Sequence, residues 1–250
     1  MPLTDYTSAL VTGASSGIGL AVAQRLLGRG LTVHAVARRR DRLEALSAPG
    51  NCVIHAVDVR DGGAVAAAFG ALEIDILVNA AGVGQKRVGL HELSPGQIDD
   101  VLETNVLGAT RVLRAVLPGM VRRRRGHVVN IGSITGLHAT PGSVYGASKA
   151  AIHMLSQDLR LEVQGTGIRV SEICPGGTRT EFHALARDLA QDEIDRTMYS
   201  YDVLTPADVT DAIVYVLDAP ARVDVTLMEL MATEQVPGGN AMVRREPPPE

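Results

Sequence analysis

The chain has 250 residues, of which 46% are apolar and 21% are charged, and its formal net charge is −4. This composition is typical of a globular protein, and the negative charge argues against non-specific binding to nucleic acids. No apolar run is long enough to cross a membrane, and the N-terminus lacks the basic and apolar regions of a secretion signal. We therefore expect a cytoplasmic protein with no membrane or nucleic-acid partner.

Short apolar runs alternate with longer amphipathic segments along the whole chain. Buried strands are predicted at residues 8–12, 31–37, 52–57, 74–80, 126–133, 168–174 and 225–230. Helices are predicted at residues 17–29, 39–47, 61–70, 95–123, 143–164 and 206–218. Repeated strand–helix–strand units indicate an α/β fold of the Rossmann-like, doubly wound kind, with about seven parallel strands and helices on both faces. We expect a single domain over residues 1–250, with a proline-rich tail at 240–250.

Local signals refine these elements. The stretches "SPGQ" (94–97) and "TPAD" (205–208) each place an N-cap residue before a proline at the first helical position. The run "RRRR" (122–125) ends a long helix, where cations suit the negative end of the dipole, and we prefer this interpretation to a nucleic-acid site. Cys52 and Cys174 lie in strand-like runs, which predicts buried, reduced thiols. We predict no metal site.

The first strand leads directly into "TGASSGIG" (12–19), with glycines at Gly13, Gly17 and Gly19. Glycines between a strand and a helix allow a tight turn and a close approach of the backbone to a pyrophosphate. The helix that follows offers unpaired N–H groups and a positive dipole end. The stretch therefore predicts a dinucleotide site.

The second strand ends at Ala37, where folds that prefer NAD carry an acid for the ribose 2′-hydroxyl. Arg38, Arg39 and Arg40 follow it, and a guanidinium suits a 2′-phosphate. A solvated helix start is the alternative, but cations at a helix N-terminus oppose its dipole. We therefore predict NADP(H), bound by Arg38 and Arg39, with Arg40 as a bystander.

The stretch "SVYGASKAA" (143–151) carries Tyr145 and Lys149 four residues apart, on one face of a predicted helix. A cation beside a phenol favours the phenolate and lowers the pKa of the phenol, which makes it a proton donor and acceptor. Taken alone, the spacing also fits an ordinary surface pair.

Six motifs occur together in the order and spacing of the classical short-chain dehydrogenases/reductases, which the chain resembles over nearly its whole length. They are "TGASSGIG", "NAAG" (79–82), Asn105, the serine of "NIGSITG", "YGASK" and "PGGTRT" (175–180). The resemblance implies an oxidoreductase in which Tyr145 is the general acid and base. It further implies that Lys149 lowers the pKa of Tyr145 and holds the nicotinamide ribose. Ser133 then binds the substrate carbonyl, and Asn105 supports a proton-relay water.

The resemblance also implies the residues that line the cofactor. Ala80 departs from the asparagine usual in the family, although Asn79, which ties adjacent strands, is retained. Asp58 resembles the acid that contacts adenine, with a turn acid at a strand end as its alternative. The full set is Gly13, Ser15, Ser16, Gly17, Ile18, Gly19, Arg38, Arg39, Asp58, Val59, Asn79, Ala80, Ala81, Gly82, Tyr145, Lys149, Pro175, Gly176, Thr178 and Thr180.

Several stretches, of which the C-terminal one lies outside the catalytic motifs, resemble the NADP-dependent 3-hydroxy acid (serine-type) dehydrogenases. They include "RAVLPGMVRRRRGHVVNIGSITG", "TEF" (180–182) and the run from Leu204 to Met231. This implies that the substrate is a 3-hydroxy acid or a similar short anionic alcohol. Sulfoacetaldehyde-like, polyol and other carbonyl substrates are the alternatives, and a non-enzymatic dinucleotide sensor is disfavoured by the complete set of catalytic residues.

Residues 179–205 follow the sixth strand and resemble the segment that covers the substrate in the family. Arg179 is our candidate for an anionic substrate group, together with Ser133 and Tyr145 at the reacting carbon, and Lys86 and Arg87 are the competing cations. Helices 95–123 and 143–164 are apolar on more than one face. Relatives pair these helices across a two-fold axis, which implies a homotetramer built as a dimer of dimers.

Overall fold

Seven parallel strands form one sheet in the order β3-β2-β1-β4-β5-β6-β7. The computed structural model describes residues 2–46, 50–197, 199–236 and 242–243. The strands are β1 Ser8–Thr12, β2 Thr32–Ala37, β3 Cys52–Ala56, β4 Ile76–Asn79, β5 Gly126–Ile131, β6 Ile168–Pro175 and β7 Leu227–Leu230. The predicted fold class is thus confirmed. Most of the predicted tail, residues 240–241 and 244–250, lies outside the described residues.

Helices cover both faces of the sheet. They are α1 Gly17–Gly28, α2 Arg40–Glu44, α3 Gly62–Phe69, α4 Pro95–Leu102, α5 Ala109–Arg123, α6 Ile134–Leu137, α7 Ser143–Glu162, α8 Phe182–Arg187, α9 Gln191–Thr197 and α10 Pro206–Asp218. The predicted helix over 95–123 is present within those bounds, but it is not a regular α-helix throughout, because a π-helical segment at Glu103–Gly108 lies between α4 and α5.

Two apolar layers hold the helices on the sheet. One face of β1, β2 and β4 packs with α1 and α10, and its members include Val11, Leu26 and Ile213. The opposite face packs with α3, α5 and α7, around residues such as Phe69 and Met120. The strand order reverses between β1 and β4, and in such sheets ligands bind in the crevice beyond the carboxyl ends of the strands.

The predicted helix caps are present. Ser94 and Gln97 form a reciprocal capping box at α4, as Thr205 and Asp208 do at α10. Each box satisfies two donors that a helix start leaves free.

The basic run also has a structural role. Its third residue, Arg124, adopts a left-handed conformation just after α5 ends. Arg125 donates to both carboxylate oxygens of Asp75 at 2.9 Å, and Arg123 donates to the Ile74 carbonyl at 2.6 Å. The run therefore ends the helix and ties it to the start of β4.

The two cysteines are both free thiols but differ in burial. Cys174 is buried as predicted, whereas Cys52 is partly exposed. Cys52 begins the edge strand β3, which has a neighbouring strand on one side only. Within the described ranges, no helix has the length and apolar character needed to cross a membrane.

Candidate active site

A cleft of about 680 Å³ opens at the carboxyl ends of the strands, and the glycine turn forms one of its walls. Gly13 and Gly17 have φ of +69° and +56°, values that favour glycine. A Cβ on Gly13 would lie 2.8 Å from the Ala80 carbonyl oxygen, and one on Gly19 would lie 2.5 Å from the Gly13 carbonyl oxygen. The turn therefore packs backbone against backbone and presents the start of α1 to the cleft, which fits a pyrophosphate.

The chain after β4 is held against this turn by Thr12. Its hydroxyl oxygen accepts hydrogen bonds from the backbone N–H groups of Ala80 and Ala81, both at 3.0 Å. Because these contacts use only the backbone of residue 80, alanine serves there in place of the asparagine usual in the family.

Two of the three predicted arginines face the cleft. Arg39 donates to the hydroxyl oxygens of Ser15 and Ser16 at 3.1 Å, and Arg38 also lines the cleft. Arg40 instead forms an ion pair with Glu44 at 3.3 Å on the surface of α2. The arrangement fits a phosphate next to the adenosine ribose.

Asp58 lies at the same end of the cleft. Hydrogen bonds from the Arg60 guanidinium, the nearest at 2.7 Å, hold the pKa of its carboxyl below the ordinary value, against the effect of burial. Asp58 therefore stays ionised and acts only as an acceptor.

Tyr145 and Lys149 lie on one face of α7 at the bottom of the cleft, as the spacing predicts. The Lys149 Nζ atom donates to the Ile131 carbonyl oxygen at 2.7 Å and lies 5.9 Å from the centre of the Tyr145 ring. Ser133 caps α6 at the end of β5, and its hydroxyl accepts from the Thr135 N–H and hydroxyl groups. Ser133, Tyr145 and Lys149 all line the cleft.

Burial is the largest influence on the pKa of both members of this pair. Burial raises the pKa of Tyr145 to about 12, although a hydrogen bond with Ser133 opposes it. Burial also lowers the pKa of Lys149 to about 8, and the charge of the neighbouring Glu172 opposes that change.

Asn105 lies in the π-helical segment, and such segments are frequent at functional sites. Its amide exchanges hydrogen bonds with the backbone of Val83 at 2.8 and 2.9 Å and donates to the Ser148 hydroxyl at 3.1 Å. A Cβ on Gly82 would lie 3.3 Å from Asn105 Oδ1 and 3.8 Å from Lys149 Nζ. Asn105 therefore sits beside Lys149, though it does not itself line the cleft.

Most of the predicted cofactor residues line the cleft, and Asn79 is the exception. Its side-chain amide donates to Asn130 on β5 at 3.1 Å, which ties the two adjacent strands together beneath the site. Pro175, Gly176, Thr178 and Thr180 line the far wall after β6.

Several residues of the segments 180–187 and 199–203 line the cleft, and they include contacts that the sequence did not indicate. The ring of Phe182 packs on that of Tyr145 with centroids 5.5 Å apart, and His183 packs on Phe182 at 5.3 Å. Across the cleft, Gln85 accepts from the backbone N–H groups at the start of α7. Its Nε2 atom is buried and has no hydrogen-bond partner among the described residues.

Arg179 takes a different position from the one we expected for an anion-binding residue. Its guanidinium donates to the Tyr199 carbonyl oxygen at 2.7 Å and lies over the Tyr199 ring at 5.1 Å. It does not line the cleft. Arg179, which follows the turn at Pro175 and Gly176, thus packs within the covering segment and does not face the substrate.

Other cations line the end of the cleft next to Tyr145, namely Lys86, Arg87 and Arg187. Arg87 and Arg187 form no ion pair in the described part of the chain. Burial lowers the pKa of His183 to about 4, assisted by the charges of Arg187 and Arg87, so this imidazole is neutral near pH 7. The carboxylates among the described lining residues, Asp58 and Glu181, both bond to arginines elsewhere. This end of the cleft is therefore positive.

Comparison with known proteins agrees with this geometry. The sequence profile of the family described as short chain dehydrogenase matches residues 7–191. An NADP-dependent 3-hydroxy acid dehydrogenase of Salmonella typhi is 38% identical over 235 residues, covering 90% of this chain and 95% of the relative. A sulfoacetaldehyde reductase of Chromohalobacter salexigens is 35% identical over 236 residues, covering 90% of this chain and 93% of the relative.

The solved structure of the closed form of a serine dehydrogenase complexed with NADP⁺ superposes with a TM-score of 0.90 at 36% identity, covering 96% of this chain and all of that one. The chain belongs to the short-chain dehydrogenase/reductase family and is an oxidoreductase that acts on CH–OH groups.

Proposed function

We propose that the protein interconverts a short hydroxy compound with an anionic end, such as a 3-hydroxy acid, and the corresponding aldehyde or ketone. The observation that carries this proposal is the position of Ser133, Tyr145 and Lys149 at the bottom of a cleft whose adjoining end is lined by cations. When bound, the nicotinamide cofactor supplies the hydride chemistry. The protein positions the carbonyl and moves the proton.

The phenol of Tyr145 is the proton donor for carbonyl reduction and the acceptor for alcohol oxidation. Ser133 orients the substrate oxygen toward it, since both side chains line the same cleft. Lys149 adds a positive charge beside the phenol, and the Phe182 ring shields the site from water. Exclusion of water strengthens each of these electrostatic contacts.

The cofactor is NADP(H). Arg38 and Arg39 line the end of the cleft where the adenosine ribose fits, and no acid follows β2 to bind a free 2′-hydroxyl. The relatives named for NADP support this choice.

The positive end of the cleft supports an anionic substrate. A carboxylate or sulfonate placed there gains two guanidinium partners from opposite walls, Arg87 after β4 and Arg187 at the end of α8. Burying such an anion without a partner is prohibitively costly. The two relatives act on a hydroxy acid and on sulfoacetaldehyde, which are both anionic, and this favours the same class here.

The active form is a homotetramer, a dimer of dimers. Apolar side chains are exposed along the face formed by α4, the π-helical segment, α5 and α7, and they mark an association surface. They are Leu102, Leu107, Val121, Met154 and Leu161, with exposures between 38% and 73%. Leu227 on the edge strand β7 suits a second contact.

Replacing Tyr145 by phenylalanine tests the proton transfer. We expect turnover to fall by at least about a hundredfold, the usual scale of general acid–base catalysis, while NADPH affinity stays within about twofold. Stopped-flow turnover and fluorescence titration of NADPH measure the two effects. Tyr215→Phe, which changes an exposed phenol on α10, serves as the control. Substantial turnover by Tyr145→Phe would assign the proton to another group.

Cofactor preference is tested by titrating NADPH and NADH against the wild type and Arg39→Gln. The wild type should bind NADPH more tightly, and the variant should lose about ten- to a hundredfold of NADPH affinity with little change for NADH. Arg40→Gln removes an equal charge one residue away and should change neither affinity. Equal or tighter binding of NADH by the wild type would refute the assignment.

Anion recognition is tested by Arg87→Gln and Arg187→Gln with two substrate types. Each variant should raise KM for hydroxy acids about tenfold or more and leave neutral alcohols within about twofold. Arg196→Gln, on the solvent side of the same covering segment, is the matched control. Equal losses on both substrate types would point to a folding role for these arginines.

Sedimentation equilibrium tests the assembly. We expect a tetramer at micromolar concentration, and Met154→Glu combined with Leu161→Glu should give smaller species, because two charges would be buried in the contact. Leu90→Glu, at an exposed leucine outside this face, should sediment as the wild type does. A monomeric wild-type protein would contradict the proposal.

A further inference from the structure

A buried acid lies directly behind the catalytic residues. Glu172 on β6 is only 1% exposed, and its carboxylate accepts from His153 Nδ1 on α7 at 2.7 Å. The same carboxylate accepts from the Cys174 thiol at 3.2 Å. His153 follows Lys149 by four residues and lies on the same face of α7.

The carboxylate of Glu172 lies close against the backbone of Gly132, the residue before Ser133. A Cβ on Gly132 would lie 2.3 Å from the Glu172 Oε1 atom and 2.7 Å from the Cys174 sulfur. The preceding residue, Ile131, provides the carbonyl that accepts from Lys149. The carboxylate is therefore packed against the same three-residue stretch that holds the lysine and the catalytic serine.

We propose that Glu172 is the buried counterion of Lys149, and that it positions the catalytic Lys149–Tyr145 pair for proton transfer. The inference rests on the function proposed above, but it concerns a residue behind the cleft rather than one that lines it. A lysine that is 7% exposed requires an opposite charge to remain an ammonium group.

The thiol that bonds to the carboxylate leaves its charge available to Lys149. Burial and the carboxylate itself raise the pKa of Cys174, so its sulfur stays a neutral thiol. His153 Nε2, on the other side of the ring, lies 2.9 Å from the Gln157 amide nitrogen. His153 is thus held between Gln157 and Glu172 and anchors the carboxylate from the side of α7.

The adjacent strands complete this environment. Gly132 directly follows β5, and on β7 Leu227 pairs with Glu172. Glu229 on β7 pairs with Cys174 in the sheet, but its carboxylate bonds to His138 at 2.7 Å near the surface. Glu229 is thus a second glutamate bonded to a histidine, one that is partly exposed and apart from the catalytic residues.

The sequence permits a direct test, because it contains only two lysines, Lys86 and Lys149. Protein labelled with ¹³C at the lysine Cε atoms gives two side-chain resonances, and the exposed Lys86 serves as an internal reference. In the wild type we expect Lys149 to titrate near the value of about 8. In Glu172→Gln, which keeps the hydrogen bond to His153 but not the charge, its midpoint should fall by at least about one pH unit.

Glu229→Gln removes the same charge from the neighbouring strand and should leave the Lys149 midpoint unchanged. If Glu172→Gln does not fold, His153→Arg is the alternative variant. A permanent cation beside the Glu172 carboxylate cancels its charge, so the titration midpoint of Lys149 should fall in this variant too. An unchanged midpoint in the folded variant, or an equal fall in Glu229→Gln, would overturn the inference.

Kinetics provide the second readout. In Glu172→Gln, Lys149 loses its proton at lower pH, and without the charge of Lys149 the phenolate of Tyr145 is less stable. The pH at which the rate of alcohol oxidation rises, on the acid side of its pH profile, should therefore be higher than in the wild type. Activity at pH 7 should fall at least about tenfold and recover at alkaline pH. A uniform loss at every pH would indicate a structural role only and reject the inference. The titration needs no turnover, so it remains decisive even if the proposed substrate class is wrong.

Discussion

The close packing of the glycine turn on the chain after β4 is the constraint on which the rest of the site depends. Gly13 meets the carbonyl of Ala80 at a distance that no side chain allows, and Gly19 lies equally close to Gly13. This packing leaves the start of α1 pointing into the cleft rather than into the core. Thr12, the last residue of β1, holds the chain after β4 with two hydrogen bonds. The end of β1 therefore fixes both walls of the cofactor site, the glycine turn and the chain after β4.

The catalytic residues depend on a second tightly packed region. Gly132 admits the carboxylate of Glu172 against the backbone, and Ile131 turns its carbonyl toward Lys149. A larger residue at position 132 would clash with Glu172 and Cys174 on β6. Gly132 thus leaves room for the buried carboxylate of Glu172. The charges of Glu172 and Lys149 replace apolar packing beneath Tyr145.

Much of this architecture was predictable because it depends on local patterns. Buried parallel strands are continuous apolar runs, and the turn and the Tyr145–Lys149 spacing are short motifs. The π-helical segment around Asn105 was not predictable, since its apolar period differs little from that of a continuous helix. The role of Arg179 depends on its contact with Tyr199, twenty residues away, and the sequence pattern carries no sign of that contact. For the same reason Phe182 and Arg187 were missed.

Glu181 connects the covering segment to the opposite side of the cleft. Its carboxylate accepts from Arg42 on α2 at 2.7 Å and lies 3.6 Å from Arg39, and all three side chains are about 40% exposed. An ion pair this exposed contributes at most about 1 kcal/mol and weakens as salt is added. It therefore favours the arrangement in which Glu181 contacts Arg42 by a factor of only about five. This ion pair is weak enough to break when a dinucleotide enters the cleft. The strength of the link between the covering segment and α2 therefore varies with ionic strength.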